Sequence, residues 1–322
     1  MGRLADPRCG RGGEGVASAA RGNEAPRRED RHRVGALARA DARRPLAACA
    51  LVFAAIAPHG TLAVPDAPGA EVPGSATTQA AMEELGRRFD AVRPDATIVL
   101  TPHNVHIDGH FAVVLAGRAA GDLADWDAPS VSLECPVDLE LARDVVVGIH
   151  DAGIPVVGAS FGENDPGAAT APMDWGALIP LWVMGGRADP QVPAVIASPA
   201  RDRPFDEHVR AGAAIAGVAD ASDKRVALIA SADHGHAHDA DGPYGFDPAS
   251  KEYDDRIVDI VRGEKLGELL DIDASFVEAA KADSFWQLLM LHGALGHGWR
   301  GEFLSYEAPT YFGMLCAAYE RR

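Results

Sequence analysis

Three apolar, strand-like runs in this chain each end at histidine, and this repeated feature constrains the fold more than any other. The runs and the residues that follow them are Ala47 to Ala57 with Pro58-His59-Gly60, Ala96 to Thr101 with Pro102-His103, and Arg225 to Ser231 with His234, His236 and His238. Proteins that alternate strands and helices place their chemistry at the carboxyl edge of the sheet. Imidazole serves both as a metal ligand and as a general acid or base, so we expect the three run ends to share one pocket.

The segments between the strand-like runs carry helical periodicity. Apolar side chains repeat at spacings of three and four before Pro94, at Met82, Leu85, Phe89 and Val92. A second helix is predicted from Asp138 to Ala152, ahead of a strand at Ile154 to Gly158. This alternation predicts an α/β fold, a single doubly wound α/β/α sandwich with a mostly parallel central sheet.

The chain that follows the third run is predicted to be mostly helical. Helical patterns cover Lys251 to Leu270, Ala274 to Ala282 and Ser284 to Leu295, and a tail begins at Thr310. Upstream of the third run, Asp174 to Trp182 predicts a short helix at the rim of the pocket.

The first 45 residues differ from the rest in composition. They are rich in Arg, Gly, Ala and Glu without a hydrophobic period, which predicts a disordered basic arm, or a misassigned start, ahead of a catalytic domain over residues 46–322. The apolar run after this arm also imitates a secretory signal peptide. Because that run leads directly into Pro58-His59-Gly60, we interpret it as a buried first strand.

Charge and cysteine usage restrict partners and location. The net charge is −17, and it is divided between +5 over residues 1–46 and −22 over the remainder. Because the residues after 46 are so acidic, the sequence predicts binding neither to nucleic acid nor to an anionic membrane surface, since phosphate binding needs clustered Lys and Arg. No apolar run reaches a membrane-spanning length. The four cysteines (Cys9, Cys49, Cys135, Cys316) are scattered without a C-x-x-C pair, which favours a reducing cytoplasm.

Five short motifs occur in a fixed order from about Ala47 to the carboxyl terminus. They are Pro58-His59, Thr101-Pro102-His103, Met173-Asp174-Trp175-Gly176 with Pro180-Leu181, Ser231-Ala-Asp-His-Gly-His236, and Tyr306-Glu307-Ala-Pro with Tyr311. Together they resemble the class III extradiol ring-cleavage dioxygenases, relatives of the β (catalytic) subunit of protocatechuate 4,5-dioxygenase.

The resemblance implies a non-haem Fe(II) held by two histidines and one carboxylate. It assigns His59 and His103 as the imidazole ligands and His236 as the acid/base residue. Such a triad leaves coordination positions open, so a catechol can bind through both oxygens while O2 takes a remaining position. The expected function is O2 insertion into a catechol-type ring with ring opening, in the breakdown of aromatic compounds. Zinc or manganese in place of iron, and a homo-oligomer or a small partner subunit, stay open.

The sequence departs from the family pattern at two positions. Ser284 stands where relatives carry the glutamate ligand, or a histidine in zinc-dependent relatives; Asp283 is the first substitute, and Glu307 is a more distant one. Trp175 stands where many relatives have a histidine, which removes one proton donor. Trp175, Trp182 and Trp286 either line a pocket for an aromatic ring or pack in the core.

Two other functions are weighed against ring cleavage. Gly158-Ala-Ser160-Phe-Gly162 matches the serine-hydrolase nucleophile motif, and Asp174 and His236 follow in the required chain order. The motif needs a helix after the serine, but Pro166 and Gly167 disfavour a helix there. The missing glutamate favours a non-catalytic or zinc-binding member of the same fold, similar to Memo-type proteins.

Overall fold

The structure is a computed structural model that describes residues 50–322. The predicted basic arm, Cys9 and Cys49, and the start of the first apolar run lie outside the described residues. Eleven strands are found in this part of the chain. In chain order they are β1 Ala50–Ala57, β2 Ala96–Leu100, β3 Phe111–Val114, β4 Arg118–Leu123, β5 Ala128–Pro136, β6 Val156–Ala159, β7 Thr170–Pro172, β8 Ala194–Ser198, β9 Arg225–Ser231, β10 Trp299–Glu307 and β11 Met314–Arg321.

Eight of the strands form one mixed sheet in the order β10-β11-β1-β9-β2-β8-β3-β6. The four central strands β1, β9, β2 and β8 run parallel to one another. At the edges, β11 pairs with β1 and β10 with β11 in the antiparallel sense, and β3 is antiparallel to β8 but parallel to β6. The remaining strands form a small sheet in the order β5-β4-β7.

Seven α-helices accompany the strands in the described chain. They are α1 Ser75–Val92, α2 Leu139–Asp151, α3 Trp175–Val183, α4 Phe205–Ala221, α5 Pro248–Arg262, α6 Ala274–Ala279 and α7 Phe285–Leu295. Residues of β1 alternate between two cores: Ala54 and Ile56 join the core formed with α2, α4, α5 and α7, whereas Phe53 and Ala55 join the core formed with α1 and α3. Helices therefore cover both faces of the sheet, as parallel strands require, and the predicted α/β sandwich is confirmed.

The carboxyl-terminal part of the chain differs from the prediction. The chain after α7 forms strands β10 and β11, and only β11 lies in the predicted tail; both extend the sheet beside β1. Its Met314-Leu-Cys-Ala-Ala318 run is buried on both faces, so it lacks the alternation that marks a half-buried strand. The single helix predicted over Lys251 to Leu270 is two elements, because α5 ends before Glu264, whose φ is +54°, and a 3-10 helix follows at Leu266–Asp271.

The small sheet β5-β4-β7 was also not predicted. Strand β7 has only three residues, and β4 and β5 are only partly buried. Among the described residues, no helix is long and apolar enough to cross a membrane.

Helices α4 and α7 pack closely at glycines. A Cβ on Gly212 would lie 1.8 Å from the Met290 carbonyl oxygen, and one on Gly293 would lie 1.8 Å from the Val209 carbonyl oxygen. Neither helix backbone can approach the other this closely with any larger side chain in place. The position of α7, and of the residues just before it, is thus fixed by this contact.

We predict that Gly212→Ala lowers the free energy of unfolding by roughly 1–3 kcal/mol, because the added methyl overpacks a backbone contact. The matched control is Gly217→Ala on the same helix, where a Cβ meets nothing within 4 Å; it should leave stability unchanged or raise it by up to about 1 kcal/mol. Urea unfolding followed by circular dichroism measures both. Equal midpoints for the two variants would contradict the close-packing argument.

Candidate metal centre

The candidate site lies at the carboxyl ends of three neighbouring parallel strands. Strand β1 leads through Pro58 to His59, β2 leads through Thr101 and Pro102 to His103, and β9 leads to Asp233. Since β9 lies between β1 and β2, the loops that leave these strands emerge side by side. The predicted convergence of the histidine-ended runs is confirmed.

His59, His103 and Asp283 come together at this edge. One ligand atom from each of the three residues lies within 4.8 Å of the other two. The Asp283 Oδ2 atom is 3.3 Å from His59 Nε2 and 3.2 Å from His103 Nε2. The two imidazoles meet edge to face, with ring centroids 5.1 Å apart. Two imidazole nitrogens and one carboxylate oxygen form a donor set that suits a divalent transition metal.

Asp283 is a strongly stabilised anion. It is only 6% exposed, directly before α7, and the Arg201 guanidinium forms an ion pair with its Oδ1 atom. Burial opposes ionisation, but hydrogen bonds from His103 and His59 and the charges of His59 and Arg201 outweigh it and hold the pKa of Asp283 well below its usual value. A carboxylate that stays ionised is the form that binds a metal.

The surroundings of His59 define which ring nitrogen is available. The Ser231 hydroxyl donates its single proton to the Gly176 carbonyl. Its oxygen lies 2.9 Å from His59 Nδ1 and therefore accepts the Nδ1 proton, so Nε2, beside Asp283, is the ring atom whose proton a metal ion would replace. A hydrogen bond that fixes the tautomer of a histidine is the usual support for a metal ligand. The donor set thus fits a bound metal ion.

Asp233 adds a second buried carboxylate beside His59. Its Oδ1 atom accepts the His59 backbone N–H at 2.9 Å, and its Oδ2 atom lies 3.6 Å from His59 Nε2. Burial lowers the pKa of His59, but the charge of Asp233 and the contacts of Asp283 outweigh it, so that pKa is raised. A metal ion would replace this proton as the partner of the two carboxylates.

The three residues form part of the wall of a cavity of about 940 Å³. Aromatic side chains supply much of the remaining wall: Trp126, Trp175, Phe205, Tyr244, Trp286, Tyr311 and Phe312. Trp175 packs on His103 with ring centroids 4.3 Å apart, and Trp126 packs on Trp175 at 4.8 Å. A flat apolar ligand therefore finds stacking surfaces next to the imidazoles.

His236 lines the same cavity. Its Nδ1 atom lies 2.7 Å from the His234 carbonyl oxygen, so Nδ1 carries a proton and donates it. The Nε2 atom is then the basic atom of the ring. The ring stacks on Phe312, with centroids 5.6 Å apart and an interplanar angle of 19°.

The other histidines that follow the second and third strand-like runs have different surroundings. His106 lines the cavity, whereas the His110 Nδ1 bonds the Asp108 carbonyl. His234 is fully buried, and burial lowers its pKa. His238 Nε2 donates to Asp254 at 2.8 Å.

The remaining residues named from the sequence differ in whether they line the cavity. Ser284 is buried and bonds the Tyr253 hydroxyl at 2.9 Å, so it does not face the histidines, and Glu307 is not part of the cavity wall in the described chain. Trp175 and Trp286 line the cavity, but Trp182 lies under the Arg187 guanidinium instead.

Ser160 lacks the surroundings of a hydrolase nucleophile. It is exposed after the edge strand β6 and continues into irregular chain rather than into a helix. Asp174 caps α3 by accepting the Ala177 N–H, and His236 donates to a backbone carbonyl. Within residues 50–322, no hydrogen bond joins Ser160 to either residue, so the geometry gives the hydrolase interpretation no support.

Sequence reasoning missed three residues of this site. Asp233 stands within the histidine-rich segment, and Arg201 follows β8, another strand with the same orientation, so position after a strand was an available signal for both. Trp126 comes from the short 3-10 helix between β4 and β5. Nothing in the local sequence indicates that this insertion reaches the cavity.

Comparison with known proteins places the chain in a family whose description names aromatic ring-opening dioxygenases. Residues 53–315 match the family described as the catalytic LigB subunit of aromatic ring-opening dioxygenase. The match covers most of the chain, and the chain therefore belongs to the LigB family.

Two individual proteins are similar to the chain. Protein CA_C1420 of Clostridium acetobutylicum is 24% identical over 252 residues, which cover 78% of this chain and 53% of that protein. The chain thus spans about half the length of this curated relative. The crystal structure of the uncharacterized protein JW3007 from Escherichia coli K12 has a TM-score of 0.57 and 18% identity, and the match covers 83% of this chain and 99% of that one. At this identity the second match shows the shared fold.

We predict that His103→Ala abolishes stoichiometric binding of a divalent metal at this site, because it removes one of three ligands. His110→Ala is the matched control, since it changes a histidine of the same loop that bonds only a backbone carbonyl. Elemental analysis after anaerobic loading with Fe(II), and separately with Zn(II), measures the metal content of each variant. Full metal retention by His103→Ala would remove His103 from the ligand set.

Proposed function

We propose that the protein is a non-haem Fe(II)-dependent extradiol dioxygenase that inserts O2 into a catechol-type ring and opens it. The observation that carries the proposal is the meeting of His59, His103 and Asp283 in the wall of a cavity that His236 also lines. In this proposal Asp283 replaces the glutamate of relatives as the third ligand. The two histidines and one carboxylate also accommodate zinc or manganese, and metal-specific assays distinguish them.

His59, His103 and Asp283 would hold a ferrous ion, which would supply binding positions for the catechol oxygens and O2. The protein's own groups then orient the substrate and move its protons. Asp283 stays ionised and is held in place by Arg201, so the carboxylate keeps its direction. The aromatic wall, with Trp175 beside His103 and Phe312 beside His236, packs against the faces of the substrate ring.

His236 is the proposed acid/base residue. Its Nδ1 proton is committed to the His234 carbonyl, so Nε2 accepts a proton from a catechol hydroxyl and returns it later in the reaction. General acid–base help of this kind contributes roughly 10²–10⁴-fold to a rate. Both atoms of O2 enter the ring-opened semialdehyde, so the reaction needs no separate reductant.

The proposal extends to partners and location. The substrates are a catechol-type molecule and O2, and neither nucleic acid nor a membrane surface is expected, because the body of the chain is strongly acidic. Cytoplasmic location fits Cys135 and Cys316, which are buried free thiols. A homo-oligomer or a small partner subunit is compatible with the same chemistry.

A second candidate function is metal binding without catalysis, as in Memo-like or zinc-binding relatives. Trp175 favours it, because this side chain packs on His103 at the position where the family resemblance implies a proton-donating histidine. The two functions differ in one measurement. A dioxygenase consumes O2 when iron and a catechol are both present, and a binding protein does not.

We predict that the iron-loaded protein consumes O2 with at least one member of a panel of substituted catechols and forms a coloured semialdehyde. His236→Ala should retain its iron and lose at least about 10²-fold in turnover, as expected for removal of a general acid/base. His150→Ala, which changes an exposed histidine of α2, is the control.

Oxygen-electrode traces and absorbance spectra measure uptake and product in parallel. Unchanged turnover in His236→Ala would remove this residue from the mechanism. A wild-type protein that binds iron yet consumes no O2 with any catechol would contradict the dioxygenase proposal and leave the metal-binding function.

A further inference from the structure

Asp254 on α5 is a fully buried acidic residue that the proposed chemistry does not use. It lies outside the cavity wall, yet its carboxylate is the most heavily hydrogen-bonded acidic group near His236. A buried carboxylate is costly to desolvate unless several donors compensate it. Its partners therefore indicate what the residue does.

The carboxylate of Asp254 holds the chain on both sides of His236. Its Oδ1 atom accepts the Gly235 backbone N–H at 2.7 Å, one residue before His236. Its Oδ2 atom accepts the His238 Nε2–H at 2.8 Å, two residues after His236. The short segment that carries His236 is thus tied at both ends to one rigid helix.

A third donor connects the same carboxylate to the sheet. The Tyr306 hydroxyl on β10 donates to Asp254 Oδ2 at 2.6 Å. Burial, together with the charge of Asp254, raises the pKa of Tyr306, so its hydroxyl stays protonated and remains a donor. Asp254 is therefore held from the sheet side while it holds the histidine segment.

The loop that covers His236 also approaches this carboxylate. A Cβ on Gly313 would lie 2.0 Å from Asp254 Oδ2, so only glycine allows the loop to come so near. Gly313 accepts the His234 N–H at 2.8 Å and donates to the Gly235 carbonyl at 3.1 Å. The preceding residue, Phe312, stacks on the His236 ring. Asp254 thus fixes both the segment that carries the imidazole and the loop that supplies its stacking partner.

His236 itself is held by two hydrogen bonds, and both go to backbone carbonyls. Its N–H donates to the Ala280 carbonyl at 3.0 Å, and its Nδ1–H donates to the His234 carbonyl. The second of these carbonyls belongs to the tied segment itself, so it moves whenever the segment moves. A displacement of about 1 Å at a catalytic group costs on the order of 10²-fold in rate.

We propose that Asp254 is a positioning residue that sets the place of His236 in the cavity by holding Gly235 and His238. The proposal rests on the assignment of His236 as the acid/base residue. It predicts that loss of the carboxylate acts through His236 and leaves the metal ligands unaffected.

The test is Asp254→Asn in the full-length, iron-loaded protein. We expect kcat to fall at least 10-fold, with KM for the catechol and the iron content each unchanged within twofold. Asp138→Asn is the matched control: this carboxylate also accepts several donors, from Leu141 and Lys224, but it caps α2 away from the cavity. It should reduce stability and leave kcat per folded molecule unchanged.

A double-mutant cycle separates positioning from general damage. In the His236→Ala background, Asp254→Asn should produce no further loss of residual turnover, because there is no imidazole left to place. A loss of equal size in both backgrounds, or a loss of iron, would overturn the proposal.

A measurement without catalysis distinguishes this proposal from the proposed function. Amide hydrogen exchange over residues 235–238 should be at least 10-fold faster in Asp254→Asn than in the wild type and unchanged in Asp138→Asn. If the wild type consumes no O2, the dioxygenase proposal fails, and hydrogen exchange alone decides the role of Asp254. Unchanged exchange overturns that role.

If Asp254→Asn does not fold, His238→Ala is the second variant, because it releases one end of the segment. Both kcat and the exchange rate must then change by at least threefold for the proposal to stand.

Discussion

The whole site depends on one constraint, which is the adjacency of β1, β9 and β2 as parallel strands of one sheet. Parallel strands all end at the same edge, so residues that are far apart in sequence become neighbours there. His59 and His103 are separated by 44 positions, yet their rings meet at 5.1 Å. If one of these strands were reversed, its histidine would lie at the opposite edge. Sheet topology alone therefore accounts for two of the three candidate ligands.

The third candidate ligand reaches the same place by a different route. Asp283 stands directly before α7, and α7 packs on α4 through the glycine contacts at Gly212 and Gly293. Arg201, which follows β8, then holds the carboxylate from the other side. The position of the carboxylate thus depends both on the packing of α7 against α4 and on the ion pair with Arg201. Substitutions in the core between α4 and α7 should for this reason shift Asp283 within the candidate metal site.

Sequence reasoning recovered the elements with strong local signals and failed where the signal lies in distant contacts. The histidine-ended strands and the helices with clear apolar periods were found, because their patterns are set by burial on known faces. The family pattern aligns Ser284 with the usual carboxylate position, and Asp283, one position earlier, was the predicted substitute. Side chains one residue apart at the start of a helix point roughly 100° apart, and the structure shows that Asp283 meets the histidines while Ser284 turns to Tyr253. Asp254 carried no local signal, since its three donors come from two segments distant in sequence from α5, the one around His236 and strand β10.

The buried acidic groups around the site divide into two kinds according to their partners. Asp254 is satisfied by three hydrogen-bond donors of the protein itself. Asp283 and Asp233 instead share His59 as a partner, and Arg201 is the one arginine paired with them among the described residues. Two carboxylates in a low-dielectric setting, with a guanidinium and imidazoles that must be neutral to act as ligands, favour additional positive charge between them. A divalent cation meets this demand at the point where the histidine lone pairs are available. The electrostatics of the site and the arrangement of its ligand atoms therefore both favour a divalent cation, although they arise from different parts of the chain.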